Sequence, residues 1–286
     1  MQYEINSVSA DGVDIFYRSA GPKDAPMLLL LHGFPSSSHQ YRNLIPLLSH
    51  KFRVIAPDYP GFGFTEVPAS RNYIYTFSNL TTTIARFLDA LNITKFSMFI
   101  FDYGAPIGLR IALQRPEAIQ AIISQNGNAY DEGLGGPHWA VRREYWATRE
   151  PALRETIRAK SLNFAATKAQ YTTGTTKIVQ PESYTLDWAL MSPPEKQEIM
   201  LDLLGDYGSN VQLYPEFQKF LRDKKPKLLA VWGKNDPSFI EPGAWAFKKD
   251  VPNAEVVLLD AGHFAAESDT YEMSQVMLAF LEKCNL

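Results

Sequence analysis

Phe96-Ser97-Met98-Phe99-Ile100-Phe101-Asp102-Tyr103-Gly104-Ala105-Pro106-Ile107-Gly108 decides how the chain is read. The first six residues are almost wholly apolar, without alternation, which suits a strand buried on both faces. The run stops at a single acid. Gly104 then permits a sharp bend into a helical pattern running from about Gly104 through Leu113. The stretch predicts strand, tight turn and helix, with Asp102 carried at the bend.

Outward from this stretch, other strands end the same way. Met27 to Leu31 runs into His32-Gly33-Phe34-Pro35, and Phe52 to Ala56 runs towards Asp58-Tyr59-Pro60-Gly61-Phe62-Gly63. Tyr3 to Ser9 and Val13 to Ser19 read as a hairpin about Asp11-Gly12. Helices are expected over Gln40 to Leu48 and Thr76 to Leu91, the latter from the spacing of Leu80, Ile84, Phe87, Leu88 and Leu91. Ile119 to Ser124 returns to strand. Such alternation predicts an α/β fold, a mostly parallel sheet flanked by helices.

From about Asn128 to Tyr214 buried strands vanish, and helical stretches lie around His138 to Trp146, Pro151 to Asn163, Ser183 to Met191 and Pro194 to Leu204. Strands resume at Leu228 to Trp232 and Ala254 to Leu259, followed by a helix over Phe264 to Leu281. Residues 1–127 and 215–286 therefore read as the core and residues 128–214 as an inserted helical cap.

With 286 residues, 45% of them hydrophobic, the chain has ample material for a large core. Its 28 basic and 31 acidic residues leave a net charge of -3, which points to neither nucleic acid nor an anionic membrane. The clusters Arg142, Arg143, Arg149 and Lys224, Lys225, Lys227 read as solvated faces. A lone cysteine, Cys284, excludes an internal disulfide and suits a reducing compartment. The first residues do not read as a secretory signal, and the apolar run Ala25 to Leu31 is far too short to span a bilayer. A cytoplasmic location is the expectation, and a homodimer is compatible with it. The five histidines show no metal spacing and Gly61-x-Gly63 is no phosphate loop, so neither metal nor cofactor is expected.

In parallel sheets, ligands sit beyond the carboxyl ends of the strands. Asp102, Asp236 in Trp232-Gly233-Lys234-Asn235-Asp236, and His263 in Ala261-Gly262-His263-Phe264 all emerge at that edge. Their order is nucleophile, acid, histidine. No G-x-S-x-G pentapeptide occurs, so a standard serine elbow is excluded and an acid stands in its place. His32 reads as a brace, Asp58 and Gly61 as loop formers, and Asn126 and Asn128 as loop amides, with the positioning of water or the histidine as their alternative role.

The segments HGFP (32–35), DYPGFG (58–63), FDYGAPIG (101–108), WGKND (232–236) and AGHF (261–264) resemble the aspartate-nucleophile branch of the α/β-hydrolase fold. The resemblance is to soluble epoxide hydrolases first and haloalkane dehalogenases second, and it spans nearly the whole chain. It implies attack by Asp102 on a small apolar electrophile, giving an ester. His263, oriented by Asp236, would then activate water against that ester. The backbone N–H groups of Phe34 and Tyr103 would form the oxyanion hole. Epoxide opening to a diol also needs phenols from the cap, and the family pattern points to Tyr214 and, more loosely, Tyr145. Dehalogenases usually place a tryptophan after the nucleophile and an asparagine or second tryptophan after the His-Gly. Tyr103 and Phe34 stand there instead, leaving Trp188 as a substitute donor for a haloalkane or haloacid reaction. The elbow reads Phe101-Asp102-Tyr103-Gly104 where His-Asp-Trp-Gly is usual, Ala105 replaces a common glycine, and Pro215 follows Tyr214 where arginine is common. A reading of a different class is a non-catalytic small-molecule receptor on the same fold.

Overall fold

The computed structural model describes residues 3–286, apart from the side chains of residues 137 and 138. Eight strands, β1 (Glu4–Ala10), β2 (Val13–Ala20), β3 (Met27–Leu31), β4 (Arg53–Pro57), β5 (Phe96–Phe101), β6 (Ile119–Gln125), β7 (Lys227–Gly233) and β8 (Glu255–Leu259), form one sheet in the order β1-β2-β4-β3-β5-β6-β7-β8. β1, β2 and β4 pair antiparallel, and every other pairing is parallel. The hairpin turns at Asp11 and Gly12, both with positive φ (56° and 72°), as a two-residue turn of matching twist requires.

The continuous apolar strands are buried on both faces. Leu29, Leu31, Met98 and Ile100 enter one core, while Leu28, Leu30, Phe99 and Phe101 enter the other, following the two-residue period of the strand. Helices α1 (Leu44–Leu48), α2 (Phe77–Ala90) and α3 (Gly104–Gln114) follow the first strands. α2 begins at Thr76, whose hydroxyl accepts from the Asn79 N–H at 3.2 Å. The helix expected over Gln40 to Leu48 is instead a short 3-10 turn, Ser38–Tyr41, and then α1.

Between β6 and β7 lie α4 (Pro137–Thr148), α5 (Pro151–Ser161), α6 (Phe164–Thr172), α7 (Pro181–Met191), α8 (Pro194–Asp206), α9 (Gly208–Gln212) and α10 (Tyr214–Lys224). α4, α5 and α8 pack on one another as the body of the cap, whereas α10 packs on α3 of the core. The sequence reading missed α6, whose cap is the Asn163 side chain accepting from Ala166 N–H at 2.9 Å. α11 (Pro242–Ala246) follows β7. The single helix expected over Phe264 to Leu281 is divided into α12 (Ala265–Ser268) and α13 (Thr270–Lys283). The break falls at Asp269, where the backbone leaves the helical region and the carboxylate accepts from Ser268 Oγ at 2.5 Å. Among the described residues no helix is long and apolar enough to cross a membrane.

Candidate active site

Asp102 occupies the bend between β5 and α3 with φ +48°, a backbone region that costs a non-glycine residue about 1–3 kcal/mol. Two glycines make that bend possible. A Cβ on Gly33 would lie 2.3 Å from Asp102 Cβ, and one on Gly104 would lie 2.2 Å from the Leu31 carbonyl oxygen. The loop after β3 is therefore pressed against the elbow. As a result, the Phe34 N–H donates to Asp102 Oδ1 at 2.6 Å, and the Tyr103 N–H also supports the carboxylate. Burial raises the Asp102 pKa, while the His263 charge and those two N–H groups oppose the rise. The two N–H groups expected to form the hole thus already contact the Asp102 carboxylate.

His263 follows β8. Its Nε2 lies 3.7 Å from Asp102 Oδ2, the carboxylate oxygen turned away from the Phe34 N–H. Its Nδ1 lies 2.6 Å from Asp236 Oδ2. Asp236 is fixed on both oxygens: Oδ1 accepts from Ser238 N–H at 2.7 Å and Oδ2 also accepts from Asn126 Nδ2 at 2.9 Å. Burial disfavours the imidazolium, yet the Asp236 carboxylate, with help from Asp102, outweighs it and raises the His263 pKa. The three side chains expected to converge from distant sequence do so in space.

Asn126, read from sequence as a loop amide, is part of this arrangement. Its side chain accepts from Gly233 N–H at 2.8 Å and donates to Asp236, tying the end of β6 to the end of β7. The residue adopts φ +44°, which asparagine tolerates better than most. His32 acts as the expected brace. Its Nδ1 donates to the Gly33 carbonyl at 3.0 Å, its Nε2 accepts from Tyr59 N–H at 3.3 Å, and its ring stacks on Tyr59 at 3.9 Å. Burial lowers its pKa to about 3, so it stays neutral.

Above the triad lies a cavity of about 500 Å³, walled by core and cap. Asp102, His263, Phe34 and Tyr103 form its floor, and Trp139, Arg142, Ile157, Leu204, Tyr207 and Phe239 stand over them. The cap tyrosines expected from sequence are not on this wall. The Tyr145 hydroxyl accepts from Arg154 Nη1 at 3.3 Å and does not line the cavity. The Tyr214 phenol accepts from Asn128 Nδ2 at 3.1 Å, behind Tyr207. Tyr207 takes the place expected for Tyr214, and Trp139 rather than Trp188 is the indole on the wall. Trp139 spends its N–H on the Ser238 carbonyl at 2.7 Å. The Tyr103 hydroxyl is buried and makes no hydrogen bond among the described residues. Arg142, expected on a solvated face, lines the cavity instead.

Comparison with known proteins agrees with this architecture. An uncharacterised hydrolase of Saccharomyces cerevisiae is 46% identical over 94% of this chain and 93% of its own length. A haloalkane dehalogenase of Psychrobacter cryohalolentis is 40% identical over 44% of this chain and 43% of its own. The crystal structure of the haloalkane dehalogenase DbeA from Bradyrhizobium elkani superposes with a TM-score of 0.82 over 99% of both chains, at 19% identity, a likeness of fold. The sequence profile of the α/β hydrolase fold matches residues 26–270. The chain belongs to the α/β-hydrolase fold family.

Proposed function

We propose that the protein hydrolyses a small apolar electrophile through an ester of Asp102, and that the reaction is the opening of an epoxide to a diol. One observation carries the first part: the Phe34 N–H holds Oδ1 of Asp102 while Oδ2 lies free towards His263. In a serine hydrolase the hole receives an oxygen of the substrate. Here the occupant is an oxygen of the enzyme, so the hole serves a tetrahedral centre formed at Asp102 Cγ.

The chemistry follows from that placement. Asp102 Oδ2 attacks an epoxide carbon, the C–O bond of the ring breaks, and the alkoxide takes a proton. The Tyr103 phenol supports the epoxide reading, being buried, unpartnered and on the cavity wall. Burial, then the Asp102 charge, pushes its pKa far above the ordinary value, so it holds its proton until a stronger base arrives. Water next gives a proton to His263 Nε2 and adds to Cγ. The Cγ–Oδ2 bond breaks, the departing alkoxide takes the proton from His263, and the regenerated acid returns its own proton to the phenolate. Esterification also removes the Asp102 charge, one of the groups that raise the His263 pKa, which shifts the imidazole towards the free base when water must be activated.

Haloalkane hydrolysis is the second reading, favoured by the partial matches to haloalkane dehalogenases. It would need donors for the departing halide. The Trp139 indole is already engaged, which leaves the Tyr103 and Tyr207 hydroxyls on the wall. The test is His263→Gln protein incubated with an epoxide and, separately, with a haloalkane. An ester adduct on the Asp102 peptide, read by mass spectrometry, is expected with the epoxide. No adduct from any electrophile that the unmodified enzyme consumes would end the ester mechanism.

A further inference from the structure

Arg142 stands on the wall of the active-site cavity, in a setting built to hold it still. Its guanidinium lies over the Trp139 ring, 5.2 Å from the centroid and one turn earlier on α4. Trp139 is pinned by the Ser238 carbonyl at 2.7 Å, and Ser238 N–H in turn binds Asp236 at 2.7 Å. Arg142 Nη2 also donates to Ser161 Oγ at 3.3 Å on α5. The cation is thus keyed to the catalytic acid through two residues. Lys160, beside Ser161 and exposed, lines the same cavity nearer solvent.

The charges of the lining are uneven. Among the described lining residues Asp102 is the sole acid, facing Arg142, Lys160 and the imidazole of His263. Burial pulls the Arg142 pKa down, while Tyr103, Asp102 and Tyr207 pull it back up. The half-buried Arg142 guanidinium shares its wall with the apolar side chains of Ile157, Leu204, Phe239 and Val141. An enzyme for wholly apolar substrates would do better with a hydrocarbon there. A substrate with an anionic end, by contrast, would be repelled by Asp102 unless a cation answered it.

We propose that the cavity takes substrates that join an electrophilic carbon to a carboxylate, and that Arg142 receives the carboxylate while the carbon faces Asp102. The planar guanidinium fork matches a carboxylate in two parallel hydrogen bonds. One fixed guanidinium with one lysine towards solvent suits a monoanion, whereas a phosphate dianion would lack donors. Lys160 supplies attraction on the approach. The proposal rests on Asp102 being the nucleophile, and the same anchor serves whether the carbon belongs to an epoxide or carries a halogen.

The test separates binding from chemistry. Hexanoate and hexanamide, matched and unreactive, are titrated calorimetrically against the wild-type protein, Arg142→Gln and Arg142→Lys at pH 7.5. Wild type is expected to bind hexanoate about 30-fold tighter, equivalent to about 2 kcal/mol. Arg142→Gln should bring the two ligands within about threefold of each other, and Arg142→Lys should keep an intermediate preference. Equal binding by wild type, or a preference that survives in folded Arg142→Gln, overturns the proposal. Should Arg142→Gln fail to fold, an undiminished preference in Arg142→Lys does so. Turnover of 5,6-epoxyhexanoate beside 5,6-epoxyhexanamide completes the set. Selective hexanoate binding with neither epoxide opened would leave the anion site standing and remove the epoxide reading alone.

Discussion

The sheet edge and the cap build two halves of one cavity by different means. At the edge, backbone geometry sets the chemistry: Asp102 sits at φ +48°, and the Phe34 N–H reaches it only because Gly33 and Gly104 carry no Cβ. In the cap, side chains place one another. Trp139, Trp146 and Tyr207 pack together with centroids 5.2–5.9 Å apart, and Arg142 lies on the Trp139 ring. Backbone geometry tolerates no added atom, whereas a stack of rings can shift by small steps. Damage at the edge should therefore cost rate in large factors, and damage in the cap should redistribute specificity or stability.

The largest effect is expected from Gly33→Ala. The new Cβ would meet Asp102 Cβ at 2.3 Å, forcing the loop and the Phe34 N–H away from Oδ1. Loss of one such donor lowers kcat by about 10²–10³-fold, measurable as slow decay of the trapped ester in single-turnover kinetics. A normal decay rate would show that the hole does not depend on this contact.

Asp236→Asn comes next. The base that activates water must be neutral, so ester hydrolysis rises with pH through the His263 pKa, which Asp236 holds above the ordinary 6.5. Removing that carboxylate charge drops the pKa. The rising limb of the pH profile should move to lower pH while the plateau falls by about 10²-fold or more. A limb that stays in place would mean another group controls it.

The smallest effects come as a pair. Tyr103→Phe removes a cavity hydroxyl that has no partner among the described residues, so epoxide opening should fall about 10²-fold with stability unchanged within about 1 kcal/mol. Tyr214→Phe removes a phenol that bonds Asn128 away from the cavity, so stability should fall by about 1 kcal/mol with turnover within about threefold. Thermal melts and initial rates read both. If the two variants behaved alike, the assignment of phenols to cavity and packing would be wrong.

The same contrast explains what could be read in the sequence. β3 and β5 are legible to the residue, because unbroken apolar runs stop at polar or turn-forming residues. The convergence of Asp102, Asp236 and His263 is legible because parallel strands deliver their ends to one edge. The cap is legible only as helices. On α4, Arg142 and Arg143 are neighbours in sequence, yet about 100° apart around the axis. Arg143 meets Asp131 at the surface at 2.8 Å while Arg142 turns to the cavity. Nothing in a cluster of arginines states that rotation. Trp139, three residues before Arg142, was the available signal, since an indole at that spacing offers a cation a platform. Tyr207 likewise stands on the wall where Tyr214 was expected. Asn126 read more readily as a loop amide because its partners lie across the sheet, on β7 and the loop beyond it.

The grip on Asp102 Oδ1 has a consequence for the fate of individual atoms. In the proposed ester mechanism Oδ2 departs in the product of each cycle, and an oxygen from solvent takes the vacancy. Because the amide keeps Oδ1 from rotating into that place, Oδ1 is a permanent resident and its neighbour a conveyor. After many cycles in heavy-oxygen water the peptide holding Asp102 should carry a single heavy atom rather than a pair. Each product molecule should then contain the solvent oxygen taken up one cycle before it.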